Sequence, residues 1–152
     1  MYDVFIVLHS VLRWVVLLVG LLAMARGIAG WNGRAWTPAD NRAGMLFVSA
    51  LDVQLLIGLA LYLFLSPTVT AAFVNVGAAM RDSQLRFFVV EHAFGMLIAI
   101  TLAHLGRIRT RKLPDPMRRH RAAAVYFGLS LLIALLSIPW PGMPAGRPLW
   151  PW

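Results

Sequence analysis

The chain has no cysteine among its 152 residues. This excludes disulfides, thiolate metal sites, iron–sulfur clusters and haem attached through a C-x-x-C-H motif. Acidic residues are also scarce, with six Asp and Glu against fourteen Lys and Arg. We find no Ser-His-Asp arrangement, phosphate-binding loop or dinucleotide motif, and the four histidines lack zinc-site spacing. We therefore expect neither a hydrolase nor a nucleotide-dependent enzyme.

Long apolar runs dominate the chain instead. Hydrophobic residues make up 60% and charged residues only 13%, unlike the balance of a soluble domain. Four apolar runs, at about 4–24, 43–66, 87–106 and 122–138, each approach the roughly 20 residues that cross a bilayer. Unpaired backbone groups are costly in hydrocarbon, so each run should be a helix. The sequence predicts an all-α, integral-membrane, up-down four-helix bundle in one domain over 1–152, with helices at about 4–26, 38–66, 83–108 and 116–138.

Basic residues cluster in two of the three connections between these helices. The segment RIRTRKLPDPMRRHR (107–121) holds seven Lys and Arg, and 25–42 holds three Arg, whereas the middle connection has only Arg81. The positive-inside rule then places both basic connections in the cytoplasm and both termini outside. The expected location is the bacterial cytoplasmic (inner) membrane. We interpret 107–121 as a topology signal that also attracts anionic lipid, and we expect no nucleic-acid partner.

Local signals mark where two helices begin. In WTPADNRAG, Thr37 suits the N-cap, Pro38 the first helical position and Asp40 the third. Asp115 repeats the N-cap role in LPDPMRRHR. The apolar stretch 67–80 predicts one short interfacial helix on the outer surface. The tail, residues 139–152, is rich in Pro and Trp and predicts an interfacial anchor, with a partner-binding strip as the alternative.

A short set of polar side chains interrupts the apolar runs: His9, Arg13, Asp52, Gln54, Glu91, His92 and His104. Such residues normally face the interior of a bundle and mark function. His9 lies about five residues from the outer end of the first helix, and His92 lies about five residues into the third run. In an up-down bundle these two helices are diagonal, so the histidines should face each other at similar depth. That arrangement suits axial ligation of haem b, with both histidines as iron ligands.

Two arginines are candidates for pairing with the haem propionates. Arg13 follows His9 by one helical turn. Arg86 lies nearer the outer surface and is better placed if the propionates point outward. In that case Arg13 should pair with Glu91 or Asp52, so that both charges can exist in the bilayer. A supporting polar network is expected from Asp52, Glu91, Gln54 and His104.

One haem is expected. His104 follows His92 by twelve residues, which turns a helix by about 120° and sends His104 to another face. His120 lies among arginines and is interpreted as solvated. Two other hypotheses fit the same polar set. In one, the residues only join helices by hydrogen bonds in a non-haem structural or assembly subunit. In the other, they form the proton relay of a small proton-coupled transporter.

The segments LHSVLRW, QLLIGLALYL, LRFFVVEH and IPWP resemble small bacterial four-helix membrane proteins of the cytochrome b-like type. The resemblance implies haem b, with His9 and His92 as the matching histidines, and electron transfer in or near a respiratory chain. Relatives often carry a histidine where this chain has Asp52, which puts a second haem in doubt. Candidate partners are membrane lipid, a quinone, a redox partner protein, further copies of the chain, or the other subunits of a larger complex.

Overall fold

The long apolar runs form four long helical stretches. The structure is a computed structural model that describes residues 1–150, and within that range every regular element is helical. The elements are α1 (Tyr2–Ala29), α2 (Pro38–Ala60) with the π-helical segment Leu61–Leu65, α3 (Pro67–Val74), α4 (Val76–Ala79), α5 (Ser83–Arg86) with the π-helical segment Phe87–Glu91, α6 (His92–Lys112) and α7 (Pro116–Leu136).

Within residues 1–150, four stretches are long and apolar enough to cross a membrane: Tyr2–Ala29, Pro38–Leu65, Ser83–Lys112 and Pro116–Leu136. This confirms the all-helical class and supports a multi-pass membrane protein. Membrane insertion itself and the side on which the termini lie stay predictions.

The packing order around the bundle is α1, α2, α6, α7, so α1 and α6 are diagonal. Phe47 and Phe127 are fully buried at the centre, with ring centroids 5.8 Å apart in an edge-to-face contact. Most of the remaining buried core is small or β-branched, which lets the helices approach closely. It includes Val16, Ala23, Ala43, Val48, Ala103 and Ala123.

The predicted start of α2 is confirmed. The Thr37 side chain accepts from the Asp40 amide, and the Asp40 carboxylate accepts from the Thr37 amide at 2.8 Å, which forms a capping box. The same carboxylate binds Arg26 at 2.8 Å and Arg34 at 2.7 Å while its side chain is only 1% exposed. Asp115 caps α7 by accepting from the Arg118 amide, as predicted.

His120 is buried, and the interpretation of this residue as solvated was wrong. It is 0% exposed and its ring lies 4.8 Å from that of Trp36. Gly30 makes room for the ring, because a Cβ at that position would collide with the imidazole. The arginines that flank His120 in sequence project elsewhere, since neighbours along a helix do not share a face.

The 67–80 connection contains two short helices, not one. Ser66 accepts from the Val69 amide at the start of α3, and Asn75 accepts from the Ala78 amide at the start of α4. Asn75 adopts φ −142° and ψ 83°, outside the helical region, so it separates the two helices.

The tail folds back onto the bundle without regular helix. The Arg147 amide donates to the Pro139 carbonyl at 3.0 Å, and Gly142 takes a positive φ of 90° within the turn. Trp14 of α1 contacts Trp140 at 6.3 Å and stacks on Trp150 at 5.7 Å between ring centroids. Pro151 and Trp152 of the expected anchor lie outside the described residues.

Candidate cofactor-binding cavity

A cavity of about 410 Å³ lies near one end of the bundle, between α1, α2, α6 and the tail. Its volume falls within the range of about 300–1,000 Å³ found for small-molecule sites. The lining is mainly apolar, with a few convergent polar side chains, which is typical of a ligand site. Those polar residues include His9, Ser10, Arg13, Gln54, Tyr62, His92 and Arg147.

The structure brings together the two histidines that the sequence paired. His9 comes from α1 and His92 from the first residue of α6, and both line the cavity. Their ring centroids are 6.2 Å apart with an interplanar angle of 70°. Two imidazoles from diagonal helices therefore converge on one point inside an apolar space.

The ring of His92 is held in one tautomer. Its Nδ1 lies 2.7 Å from the carbonyl oxygen of Ser137. A carbonyl only accepts, so Nδ1 carries the proton, and the neutral ring keeps its lone pair on Nε2. A hydrogen bond of this kind to the second ring nitrogen is characteristic of metal-ligating histidines.

Among the described residues, the His9 ring has no such hydrogen-bond partner. Its Nδ1 is buried and makes no hydrogen bond within residues 1–150. Gly58 of α2 gives the ring room, because a Cβ there would lie 3.2 Å from the His9 Cε1. Gln54 donates from Nε2 to the backbone carbonyl of His9 at 3.0 Å, which ties α2 to α1 at the depth of the histidine. A buried imidazole nitrogen without a partner is unusual, and a ligand that binds Nδ1 itself would satisfy it.

Both π-helical segments border the cavity. Leu61 and Tyr62 line it from the first segment, and Phe88 lines it from the second. The Tyr62 hydroxyl donates to the Val89 carbonyl at 2.8 Å and joins the two segments. Single π turns within α-helices are frequent at functional sites.

Arg13 holds the tail against the cavity. Its Nη2 donates to the Leu149 carbonyl at 2.7 Å, and Trp14 Nε1 donates to the same oxygen at 3.3 Å. The structure does not bring Arg13 to Glu91 or Asp52, which was the expected pairing. Its Nε is buried without a hydrogen-bond partner in the described part of the chain.

Arg147, not Arg86, is the second arginine at the cavity. Its guanidinium lies 5.2 Å from the centroid of the Phe88 ring. Arg86 lies outside the cavity lining, where its Nε pairs with Glu91 at 2.8 Å and its Nη1 donates to the Met80 carbonyl. Sequence reasoning missed Arg147, because only the folded path of the tail carries it back to the helices.

The remaining polar residues form a separate pair away from the cavity. Asp52 Oδ1 lies 3.4 Å from His104 Nε2, and the two side chains are 47% and 46% exposed. His104 does not line the cavity, in line with its twelve-residue spacing from His92. The expected network is therefore three groups: the cavity residues, the Arg86–Glu91 pair and the Asp52–His104 pair.

The two imidazoles of His9 and His92 are too few donors for a bare metal ion but are enough for a metal already coordinated by a prosthetic group. Within residues 1–150, no group of three or more His, Cys, Asp or Glu side chains is placed to hold a metal ion. Two imidazoles can nevertheless be the axial ligands of a six-coordinate haem, because the porphyrin supplies the other four nitrogens. His9 and His92 thus fit axial ligands of a haem.

No family model, curated protein or solved structure matches the chain. The resemblance to cytochrome b-like membrane proteins therefore stays a prediction that rests on four short motifs.

Proposed function

We propose that the protein is a multi-pass membrane cytochrome, or cytochrome-like subunit, that binds one haem b between α1 and α6. His9 and His92 would be the axial ligands. The observation that carries this proposal is the approach of their rings to 6.2 Å across the diagonal of the bundle. We further propose a bacterial inner membrane location with both termini outside, from the distribution of Lys and Arg.

The state of the two rings supports the proposal. A histidine ligand must present an unprotonated nitrogen, and the 2.7 Å bond from His92 to Ser137 leaves Nε2 free for that purpose. The apolar lining favours the neutral form of both rings, because charging a buried imidazole is costly. Within residues 1–150, Nδ1 of His92 has a hydrogen-bond partner, whereas the buried Nδ1 of His9 has none and would be free to bind the iron itself.

Two arginines supply positive charge to the same cavity. Within the described residues, neither Arg13 nor Arg147 forms a salt bridge with a carboxylate. Guanidinium groups bind carboxylates through paired, charge-assisted hydrogen bonds. Arg13 and Arg147 are therefore the proposed partners of the haem propionates, and Arg147 replaces Arg86 in this role.

A bound haem would supply a centre that gains and loses one electron. The chain would hold both ligand rings neutral, balance the propionate charge and exclude water. Pro139, Pro148 and Trp150 of the tail close the cavity beside Arg147. The proposed role is electron transfer in or near a respiratory chain, with a quinone or a redox protein as the exchange partner.

The three separate polar groups favour a cofactor site over a proton-coupled transporter. A relay needs polar groups within hydrogen-bonding reach of one another along the path. Asp52 and His104 pair with each other on a different face from His9 and His92. A non-haem structural or assembly subunit is the remaining alternative, because the same contacts also join helices.

Absorption spectroscopy tests the proposal directly. Protein purified in detergent from haem-replete cells should show about one haem per chain and the sharp reduced α band of low-spin haem b. His9→Ala and His92→Ala should each abolish or strongly change that spectrum. His104→Ala, on the same helix as His92 but outside the cavity, is the matched control and should retain it.

Two results would contradict the proposal. A colourless, well-folded preparation would favour the structural subunit. Loss of haem in His104→Ala, with retention in His9→Ala, would refute the proposed axial ligands.

A further inference from the structure

We propose that the protein forms a homodimer through the face of α2 and α6 that carries Asp52 and His104. The two copies would be related by a two-fold axis along the membrane normal. The inference rests on the membrane insertion proposed above and is independent of haem binding. Its starting point is an acid and a base that lie 3.4 Å apart, each with almost half of its side-chain surface exposed.

The depth of this pair makes its exposure unusual. Asp52 lies fourteen residues after Pro38 and thirteen before Leu65, the ends of the second apolar stretch. At 1.5 Å per residue, Asp52 is about 20 Å from either end of that helix, and His104, eight residues before Lys112, is about 12 Å from the nearer end of its own. The short Asp side chain cannot reach the membrane surface from there. A carboxylate facing lipid at that depth is strongly unfavourable, so another protein surface is expected to cover it.

The inward-facing polar residue nearby behaves differently. Gln54, two positions later on α2, is only 5% exposed and bonds to the backbone of α1. Intramembrane polar residues normally face inward in this way. Asp52 and His104 are already partnered within the chain, because His104 Nδ1 lies 3.0 Å from the Ile100 carbonyl oxygen and Nε2 faces Asp52. What stays unfavourable is the exposure of this polar pair to lipid, which a second protein surface would remove.

An adjacent acid and base are complementary to their own copy. In a two-fold interface the same patch meets itself, so residue i contacts j and j contacts i. An axis along the membrane normal keeps every residue at its own depth, so Asp52 of one copy can meet His104 of the second. The two Asp52 carboxylates and the two His104 rings then alternate around the two-fold axis. This charge complementarity favours a second copy over an unrelated partner.

Small side chains flank the pair on the same face. Ser49 precedes Asp52 by three residues, and Thr101 precedes His104 by three, so each lies one turn away; both are exposed. Small residues let membrane helices approach closely, and hydroxyls can bond across the interface. Leu56, one turn beyond Asp52, is 66% exposed and completes an apolar margin.

Cysteine cross-linking tests the interface without background, because the natural chain has no cysteine. Leu56→Cys probes the proposed face. Leu18→Cys is the matched control, because Leu18 is equally exposed (67%) but lies on α1. In membranes treated with bis-maleimides of several lengths, we expect a covalent dimer for Leu56→Cys, Ser49→Cys or Thr101→Cys and little for Leu18→Cys. Equal yields at Leu56 and Leu18, or no dimer from any of the three, would overturn the interface.

Charge variants test the role of the pair. We expect Asp52→Asn to raise the Kd of the dimer in vesicles about tenfold, because the symmetry axis duplicates every lost contact. Energy transfer between fluorophores on Leu18→Cys chains measures this Kd. The exchange Asp52→His with His104→Asp preserves the acid–base alternation and should restore it to within about twofold. A dimer that is insensitive to Asp52→Asn would refute the proposed pairing.

Washing membranes with alkaline carbonate distinguishes a failure of the dimer proposal from a failure of the proposed membrane insertion. A chain that stays in washed membranes as a monomer refutes the dimer alone. A chain that washes off refutes membrane insertion and the dimer together. Haem content does not enter either outcome.

Discussion

The Nδ1–H of His92 donates to the carbonyl oxygen of Ser137 at 2.7 Å, a bond between residues 45 positions apart. The carbonyl belongs to the C-cap residue that follows α7, so the end of one helix orients the first side chain of another. Gly95, one turn after His92, faces the Ser137 side chain so closely that a Cβ would collide with its Oγ. The orientation of the His92 ring therefore depends on tight packing between α6 and α7.

Gly95→Ala tests that dependence. The added methyl forces α6 and α7 apart and should cost about 1–3 kcal/mol of stability, together with most of the low-spin haem absorbance. Adding Ser137→Ala removes the colliding Oγ and should restore part of both. Gly77→Ala is the control, because its Cβ would meet no atom closer than 3.7 Å. A normal spectrum in Gly95→Ala would show that the packing does not control His92.

Arg13→Leu should release the tail. The substitution removes the bond to the Leu149 carbonyl, so faster proteolysis of the tail and lower haem occupancy are expected. Removing the cation also favours membrane insertion of α1 by a few kcal/mol, which offsets part of the lost stability. Neutralising Asp52 or Glu91 should give no recovery, because each pairs with another residue. Arg81→Leu, at an exposed position, serves as the control, and a protected tail in Arg13→Leu would disprove the role of Arg13.

Asp40→Asn should destabilise the end of the bundle opposite the cavity. The variant keeps some hydrogen bonds but removes the charge that faces Arg26 and Arg34. These arginines are partly exposed, at 31% and 39%, so water limits the cost to about 1–3 kcal/mol. Thermal unfolding in detergent measures the change. Asp115→Asn is the matched control, because Asn is an equally good N-cap and should shift stability by only a few tenths of a kcal/mol.

Gln54→Leu should have a small effect despite the burial of the side chain. The lost interhelical bond is worth about 0.6 kcal/mol on average, and the His9 carbonyl keeps its bond within α1. We expect stability within about 1 kcal/mol of the parent and a retained haem spectrum. Leu51→Ala is the positive control: the side chain is 0% exposed, so its truncation should lower the free energy of unfolding by about 2–5 kcal/mol. A larger loss in Gln54→Leu than in Leu51→Ala would refute this prediction.

Reporter fusions test the predicted orientation. Fusions after residue 35 and after residue 113 should report the cytoplasm, and fusions after residue 75 and at the C-terminus should report the outside. The reason is the concentration of Lys and Arg in the two basic connections. An outside signal at residue 113 would reverse the proposed topology.

Helix beginnings were predictable because their signals are local. The side chains of Thr37, Asp40 and Asp115 accept hydrogen bonds from backbone amides three residues away, so donor and acceptor are close neighbours in the sequence. The contact between His9 and His92 followed from equal depth on diagonal helices, which needs only the order and direction of the helices.

The partners of the arginines were not predictable in this way. Arg86 precedes His92 by six residues, but the segment Phe87–Glu91 is π-helical and shifts the register between them. Arg86 consequently reaches Glu91, five residues on, which is the spacing of one π turn. Arg147 arrives at the cavity through an irregular tail whose path no periodicity encodes.

The π-helical segment Phe87–Glu91 also has a genetic consequence. A π turn contains one residue more than the α-helical turn it replaces, so deleting one codon there leaves a continuous α-helix with its apolar character intact. Four α-helical residues turn through about the same angle as five π-helical ones, so the deletion would leave α5 in nearly its present orientation relative to His92. The cavity wall would lose Phe88 or its neighbour, and the link from Tyr62 to Val89 would break. An in-frame deletion in this segment should therefore preserve the bundle and abolish the site.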